Sequence, residues 1–403
     1  MKRLLYLLYV LILVPVIMLI TCGPIPDNEP VTSPAPEPDE SANSTSKPPI
    51  TPETTQPQNE TLEPNQDQDE VSSPPSPQNE DLEPDPPPVF GLIDAHADTI
   101  SRVLLQGEDN RSLYSNKSLD IDFSRLSEFE APVQVFVAWC SNRYVSTAFV
   151  HTNTMFDLLE SEIEKHSDMI EIALDLRDIE RIAREGKISA FLAIEGGEAL
   201  MGKIDNLEHF YNRGVRILGL TWNRENELGY GQETGSSLGL KPFGLEVIEK
   251  MDELGMIMDV SHLNEQGFWD AHEKSTRPYM ASHSNAYAVM PHSRNLRDDQ
   301  IMAIIDSEGV IGFNMYPLII ARNETATMTD ILSHFLHFID IGAGNHIGLG
   351  CDLDGIPSMP QGFTDVSSLK MFSELLVDEF DEETSYKVME GNFYEFFKRY
   401  FES

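Results

Sequence analysis

Residues 91–98 read Gly91-Leu92-Ile93-Asp94-Ala95-His96-Ala97-Asp98, a short apolar run that closes on side chains able to grip a metal or move a proton. It is the first of eight β-rich runs. The others lie near Val133–Cys140, Ile188–Glu195, Val215–Thr221, Met256–Ser261, Tyr279–Ser282, Val310–Tyr316 and Ile347–Asp352. Amphipathic helical patterns fill the gaps, among them Thr152–Lys165, Phe243–Leu254, Asp298–Ile305 and Asp330–Ile341, with a final pair near Ser367–Glu379 and Glu383–Tyr400. Strand and helix in alternation mark βα units. Eight units within residues 89–403 predict an α/β fold, a (β/α)8 TIM-type barrel with extra C-terminal helices. A doubly wound open sheet is the alternative.

In such a barrel the chemistry sits at the C-terminal strand ends. Five of the eight offer a histidine or carboxylate: Asp94-Ala95-His96-Ala97-Asp98, Ile194-Glu195-Gly196-Gly197, Asp259-Val260-Ser261-His262, Ala281-Ser282-His283-Ser284 and Gly350-Cys351-Asp352-Leu353-Asp354-Gly355. The period of two puts His96 and Asp98 on one face of a strand, where they can hold one ion. His262 and His283, from neighbouring strands, can hold a second, and the two oxygens of Glu195 can bridge the pair. Imidazole and carboxylate without thiolate suit zinc in a hydrolytic site, where two ions can share an ionised water. A lone histidine at a strand end is more often a hydrogen-bonded structural residue, but five ligand types at one mouth are a poor fit to chance. Asp94 and Asp259 read as buried structural carboxylates behind the ligands. His151, His166, His209, His334 and His337 fall in or beside helices, His346 lies at the opposite end of the barrel, and His272 and His292 are ambiguous.

The charge is uneven. The 403 residues carry 67 acidic against 28 basic side chains, a net charge of -39. Residues 1–22 hold +2, residues 23–88 hold -14 and 18 of the 26 prolines, and residues 89–403 hold -27. A body of that sign repels polyanions, so nucleic acid is excluded as a partner. An anionic membrane surface is disfavoured unless something other than charge provides the anchor. Such an anchor is legible. Lys2 and Arg3 precede an apolar run from Leu4 to Ile20, and Leu19-Ile20-Thr21-Cys22-Gly23 resembles the lipobox of bacterial lipoproteins, in which the cysteine is lipidated. Thr21 departs from the usual Gly, Ala or Ser. Residues 1–22 thus read as a lipoprotein-type signal peptide with lipidation at Cys22, the alternative being an uncleaved signal anchor, and both place the body outside the cytoplasm on a membrane. Residues 23–88, with the drifting repeat Pro57-Gln58-Asn59-Glu60-Thr61-Leu62-Glu63-Pro64 and Pro77-Gln78-Asn79-Glu80-Asp81-Leu82-Glu83-Pro84, predict a disordered acidic tether. Cys22, Cys140 and Cys351 make no disulfide framework. The last two read as buried thiols.

From Leu92 to near the C-terminus the body resembles the membrane dipeptidase (renal dipeptidase-like) family of metallopeptidases, in the amidohydrolase-type barrel superfamily. The matching stretches are Ile93-Asp94-Ala95-His96-Ala97-Asp98, Glu195-Gly196-Gly197, Pro242-Phe243-Gly244 through Asp259-Val260-Ser261-His262, Ser282-His283-Ser284-Asn285-Ala286, Ser293-Arg294-Asn295 and Asp352-Leu353-Asp354-Gly355. The resemblance implies two zinc ions per chain, His96 and Asp98 on one, His262 and His283 on the other, with Glu195 bridging. It implies that Arg294 binds the substrate's terminal carboxylate and that Asp352 orients the water and shuttles its proton. Asp354 is the alternative shuttle. It also implies a small peptide as substrate, and a homodimer is compatible with it. One position departs: better-known members carry a histidine where this chain reads Leu220-Thr221-Trp222-Asn223. Trp222 offers only an indole donor, so Trp222 and Asn223 are expected to shape substrate binding differently. The expected activity is zinc-dependent dipeptide hydrolysis by a metal-bridging hydroxide. The rivals are an amidohydrolase acting on another small amide or lactone, and a tethered lipoprotein that binds peptides without cutting them.

Overall fold

A computed structural model describes residues 91–107, 110–322 and 325–402. The signal run, Cys22 and the Pro-rich tether lie outside the described residues. Among those described, no helix is long and apolar enough to cross a membrane.

Nine parallel strands form one sheet: β1 (Ile93–Ala97), β2 (Val133–Trp139), β3 (Ile170–Ile172), β4 (Ile188–Glu195), β5 (Val215–Gly219), β6 (Ile257–Asp259), β7 (Met280–Ala281), β8 (Val310–Phe313) and β9 (Ile347–Leu349). The order is β2-β1-β9-β8-β7-β6-β5-β4-β3, and β2 also pairs with β4, from Val133 opposite Ser189 to Trp139 opposite Glu195. That pairing closes eight strands into the expected barrel and leaves β3 outside the ring. Three residues long, β3 pairs with Ile188–Ala190 of β4, on the edge that β5 takes over from Leu192 onward. Ile170-Glu171-Ile172 is too brief for a periodicity to show, which is why only eight strands are expected from the sequence.

Helices follow most strands. The expected helices appear as Ala148–Lys165, Pro242–Leu254, Asp298–Asp306, Met328–Asp340 and Ser368–Glu379. The single helix expected over Glu383–Tyr400 is interrupted: Glu382–Tyr386 opens into a wide turn at Lys387–Gly391 before Asn392–Glu402 resumes. A side-chain carbon at Gly391 would crowd the Tyr386 ring, so glycine permits the close turn there. Phe393, Phe396, Phe397 and Tyr400 of the last helix pack with Ile93, Val133 and Val135 of β1 and β2, and with Leu176 and Ile179 of the helix Leu176–Arg184. Cys140 and Cys351 are buried free thiols.

The strands end earlier than their apolar runs. β6 stops at Asp259, β7 at Ala281, β8 at Phe313 and β9 at Leu349, each before the polar residues that the runs carry beyond. His262 and Asp352 have left-handed backbones, with φ of 67° and 61°, and cannot continue a strand. The functional side chains therefore stand on the turns above the barrel, not in its ladders.

Candidate metal centre

The turns converge. β1 delivers His96, and Asp98 follows just past its end, fixed by main-chain bonds from Asp98 N to Leu353 O (3.0 Å) and from Asp352 N to His96 O (3.0 Å). β4 delivers Glu195, the turn after β6 His262, the residues after β7 Ser282 and His283, and the turn after β9 Asp352. Glu195 Oε1 lies 2.8 Å from His262 Nε2, 3.4 Å from His283 Nε2 and 3.9 Å from His96 Nε2, while Asp98 Oδ2 is 3.7 Å from His96 Nε2. Two groups bring their ligand atoms within 4.8 Å of one another: His96, Glu195 and His283, and His96, Asp98 and Asp352. Asp352, expected to carry protons, thus also stands within ligand reach of His96 and Asp98.

The donors fit a cation. His96 Nε2 and Asp98 Oδ1 are buried and find no hydrogen-bond partner among the described residues. His262 Nε2 and His283 Nε2 face one another at 2.8 Å with the Glu195 carboxylate beside both. Two imidazole nitrogens and a carboxylate so placed repel unless positive charge lies between them. The field of the site attracts it. Burial opposes charge on His96, yet Asp98, Glu195 and Asp352 outweigh burial and push the imidazole up to about 10. Burial raises Glu195 far above the usual carboxylate range, with Asp98 and Asp352 adding to the rise. Burial lowers His262 and His283, assisted by Arg294 and His96, so both imidazoles are neutral and free to donate lone pairs.

Supporting bonds hold the ring. Asn223 Oδ1 is 2.6 Å from His262 Nδ1, and Ser282 Oγ is 3.0 Å from His96 Nδ1 and 2.7 Å from His283 Nδ1. Asp259 accepts from Ser282 Oγ and from the main chains of Ser261 and Ser282; Asp94 accepts from Cys351 N and Gln134 Nε2. Both carboxylates work as buried supports, as their place in the strands implies. Asn314 Nδ2 donates to Asp352 Oδ2 at 2.9 Å. Burial first, and then Asp98, raise Asp352 to about 7, against the pull of His96, Asn314 and Arg294. Asp354 is occupied elsewhere, accepting from Thr99 Oγ1 (2.7 Å) and from the main chains of Asp120 (2.7 Å) and Ile121 (3.3 Å).

The site opens into a cavity of about 460 Å³. Arg294 lines it, its guanidinium donating to His283 O at 3.2 Å, and so do Trp222, Asn223 and His292. Trp222 stands edge-on to Trp139, ring centres 4.9 Å apart, and 6.2 Å from the His262 ring. The amide oxygen of Asn223 is engaged by His262 Nδ1 and by Gln232 Nε2. Sequence reasoning missed Trp139, Asn314 and Ser282. Trp139 ends β2, and Ser282 and Asn314 immediately follow β7 and β8, so all three stand at strand ends, but none is a histidine or carboxylate and nothing local marks its contacts. His272 bonds Tyr279 and His346 bonds Gly309 O, and neither lines the cavity.

A family model described as Membrane dipeptidase (Peptidase family M19) matches residues 89–400. An uncharacterised protein from the pqqA 5′ region of Klebsiella pneumoniae is 36% identical over 239 residues, 56% of this chain and 87% of the relative. Dipeptidase tcpJ of Claviceps purpurea is 35% identical over 220 residues, 54% of this chain and 52% of the relative, so the chain spans about half of that enzyme. Among solved structures, a dipeptidase AC metallopeptidase is 26% identical with a TM-score of 0.73, covering 78% of this chain and 100% of its own. A Rhodobacter sphaeroides metallopeptidase, crystallised with a phosphinate mimic of the dipeptide L-Ala-D-Ala, is 25% identical with a TM-score of 0.72, covering 77% of this chain and 99% of its own.

Proposed function

Because the chain belongs to the membrane dipeptidase family of metallopeptidases, we propose that it hydrolyses dipeptides with a pair of zinc ions held by His96, Asp98, Glu195, His262 and His283. One observation carries the reading: five buried nitrogen and oxygen donors, two of them with orphaned atoms, meet at the floor of a cavity whose wall holds an arginine. The donor set of imidazole and carboxylate without thiolate suits zinc. Zinc held by these residues would supply polarisation of the scissile carbonyl and acidify water at neutral pH.

The chain's own groups do the rest. The Arg294 guanidinium pairs with the terminal carboxylate of the substrate, which selects short peptides with a free C-terminus. Asp352, raised to about 7, accepts the proton of the attacking water on a carboxylate oxygen and passes it to the departing amine nitrogen. Asn314 keeps that carboxylate turned to the site. Asn223 acts through His262, and Trp222 with Trp139 forms an aromatic wall where a side chain of the substrate packs.

The test is a dipeptide panel with product detection, starting from L-Ala-D-Ala, run on chelated and zinc-reloaded protein. Turnover that appears only on reloading supports the reading; equal rates in both preparations sink it. Cleavage of lactones or cyclic amides but no dipeptide would favour the wider amidohydrolase activity, and peptide binding without product a capture protein. We also propose that residues 1–22 export the chain, that Cys22 is lipidated, and that residues 23–88 tether the barrel, residues 89–403, outside the cytoplasm. The order of charge and apolar residues supports this.

A further inference from the structure

Ser282 is 1% exposed, and its hydroxyl makes three close contacts with buried groups, Asp259 Oδ2 at 2.5 Å, His283 Nδ1 at 2.7 Å and His96 Nδ1 at 3.0 Å, while the Ser261 hydroxyl stands at the limit of hydrogen-bond distance, 3.5 Å, and is outranked by them. A hydroxyl has one hydrogen and two lone pairs. Asp259 takes the hydrogen, because its Oδ1 already accepts from Ser261 N (2.9 Å) and Ser282 N (2.8 Å) and its Oδ2 is left to accept from the hydroxyl. The two lone pairs then face His96 and His283, so each imidazole must bring its proton to Nδ1. Each Nε2 is thereby the atom left to a metal ion, which takes the place of the second proton that His96 carries without one, and those are the atoms turned towards Asp98 and Glu195. The serine itself cannot drift. A side-chain carbon at Gly312 or Gly350 would strike the Ser282 carbonyl oxygen, so both glycines let the ends of β8 and β9 close on it.

From this geometry, and resting on the metal-dependent reading above, we infer that Ser282, aimed by Asp259, is a positioning residue that sets the tautomer of two metal-binding imidazoles at once and so couples the two metal sites through one hydroxyl. His262 stands outside the relay, since its Nδ1 is held separately by Asn223. Loss of one oxygen should therefore weaken both ions together while leaving every ligand in place.

The experiment uses the full chain with zinc and with cobalt. Zinc affinity is read by competition with a chromophoric chelator, and the imidazole N–H protons are read as shifted, exchangeable resonances in the proton NMR spectrum of the cobalt-loaded protein. Ser282→Ala should weaken both zinc steps by about 10–100-fold. It should also move or broaden the N–H signals of His96 and His283 and leave that of His262 unchanged. Ser282→Thr, which keeps the hydroxyl, should restore both readings. Asp259→Asn gives a second, independent reading. Its amide oxygen must stay on the two main-chain N–H groups, so its NH2 donates to Ser282 Oγ and turns the serine hydrogen onto an imidazole, which costs one N–H signal. That variant carries the test should Ser282→Ala not fold. Wild-type affinity with unchanged N–H signals in either variant overturns the inference, as does a loss confined to one zinc step in Ser282→Ala. A wild-type chain that takes up neither zinc nor cobalt overturns the proposed function itself, a different result from a metal-loaded wild type with indifferent variants.

Discussion

His283 joins three roles in one ring: Nε2 beside Glu195, Nδ1 on Ser282, and a main-chain carbonyl that accepts from Arg294. Replacing it with Ala should abolish turnover and bound zinc together, measured as product formation and metal-to-protein ratio. Arg294 should separate binding from chemistry. A guanidinium that pairs with the substrate carboxylate does so before and during reaction, so Arg294→Ala should raise KM with little change in kcat. The lost charged hydrogen bonds, about 3 kcal/mol, correspond to roughly 100-fold in kcat/KM. Dipeptide amides, which lack the carboxylate, should be cleaved equally slowly by both proteins; a variant that still prefers free dipeptides would remove Arg294 from that role. The ligand-type residues were legible as a set because each stands at or just past an apolar run. Asn314 was not, since nothing in Phe313-Asn314-Met315 shows that its amide reaches Asp352.

Apolar runs announce strands, but the ends of the strands are set by the backbone of the turns. His262, Asp352 and Asp354 all have positive φ, a conformation unfavourable for side chains with a β-carbon, held at the rim by the surrounding bonds. The glycines beneath them matter for the same reason. Gly350→Ala would place its methyl carbon against the Ser282 carbonyl and should cost more than about 3 kcal/mol, read as a lower urea midpoint or loss of soluble protein. The helix Met328–Asp340 is tied to the rim by His334, whose Nδ1 accepts from Ala286 N at 3.2 Å while Nε2 donates to Ile320 O at 3.0 Å. Burial lowers this imidazole to about 4, and the unfolded chain returns it to about 6.5. Between those values the unfolded state binds a proton that the folded state refuses, so stability falls as pH drops from about 6.5 to about 4, by on the order of 3 kcal/mol. Urea titrations of chelated protein at pH 7 and 4.5 check this: His334→Gln should be less stable at pH 7 but lose less on acidification than the parent.

For the whole molecule, net charge misleads as a guide to function. The -39 total divides into +2 over residues 1–22, -14 over residues 23–88 and -27 over residues 89–403, where the proposed active groups number a handful. A chain beginning at residue 89 contains every strand, helix and site residue described, so it should fold and match the full chain in kcat and KM. The two should differ in place: the full chain should sediment with membranes and Cys22→Ser should release it, whereas the short chain is released from the outset. Equal recovery of all three in the soluble fraction would remove the lipid anchor from the proposal.

The sequence by itself determined the class of barrel, the family and the identity of the candidate ligands, because apolar periodicity and residue type are local properties. Register was not local: the place of β3, the early ends of the strands and the break in the last helix depend on which backbone groups find partners across the sheet. The relay from Asp259 through Ser282 to His96 and His283 joins residues as far as 186 positions apart. Only closure of the eight strands brings them within hydrogen-bond reach, and only then is a serine distinguishable from its neighbours.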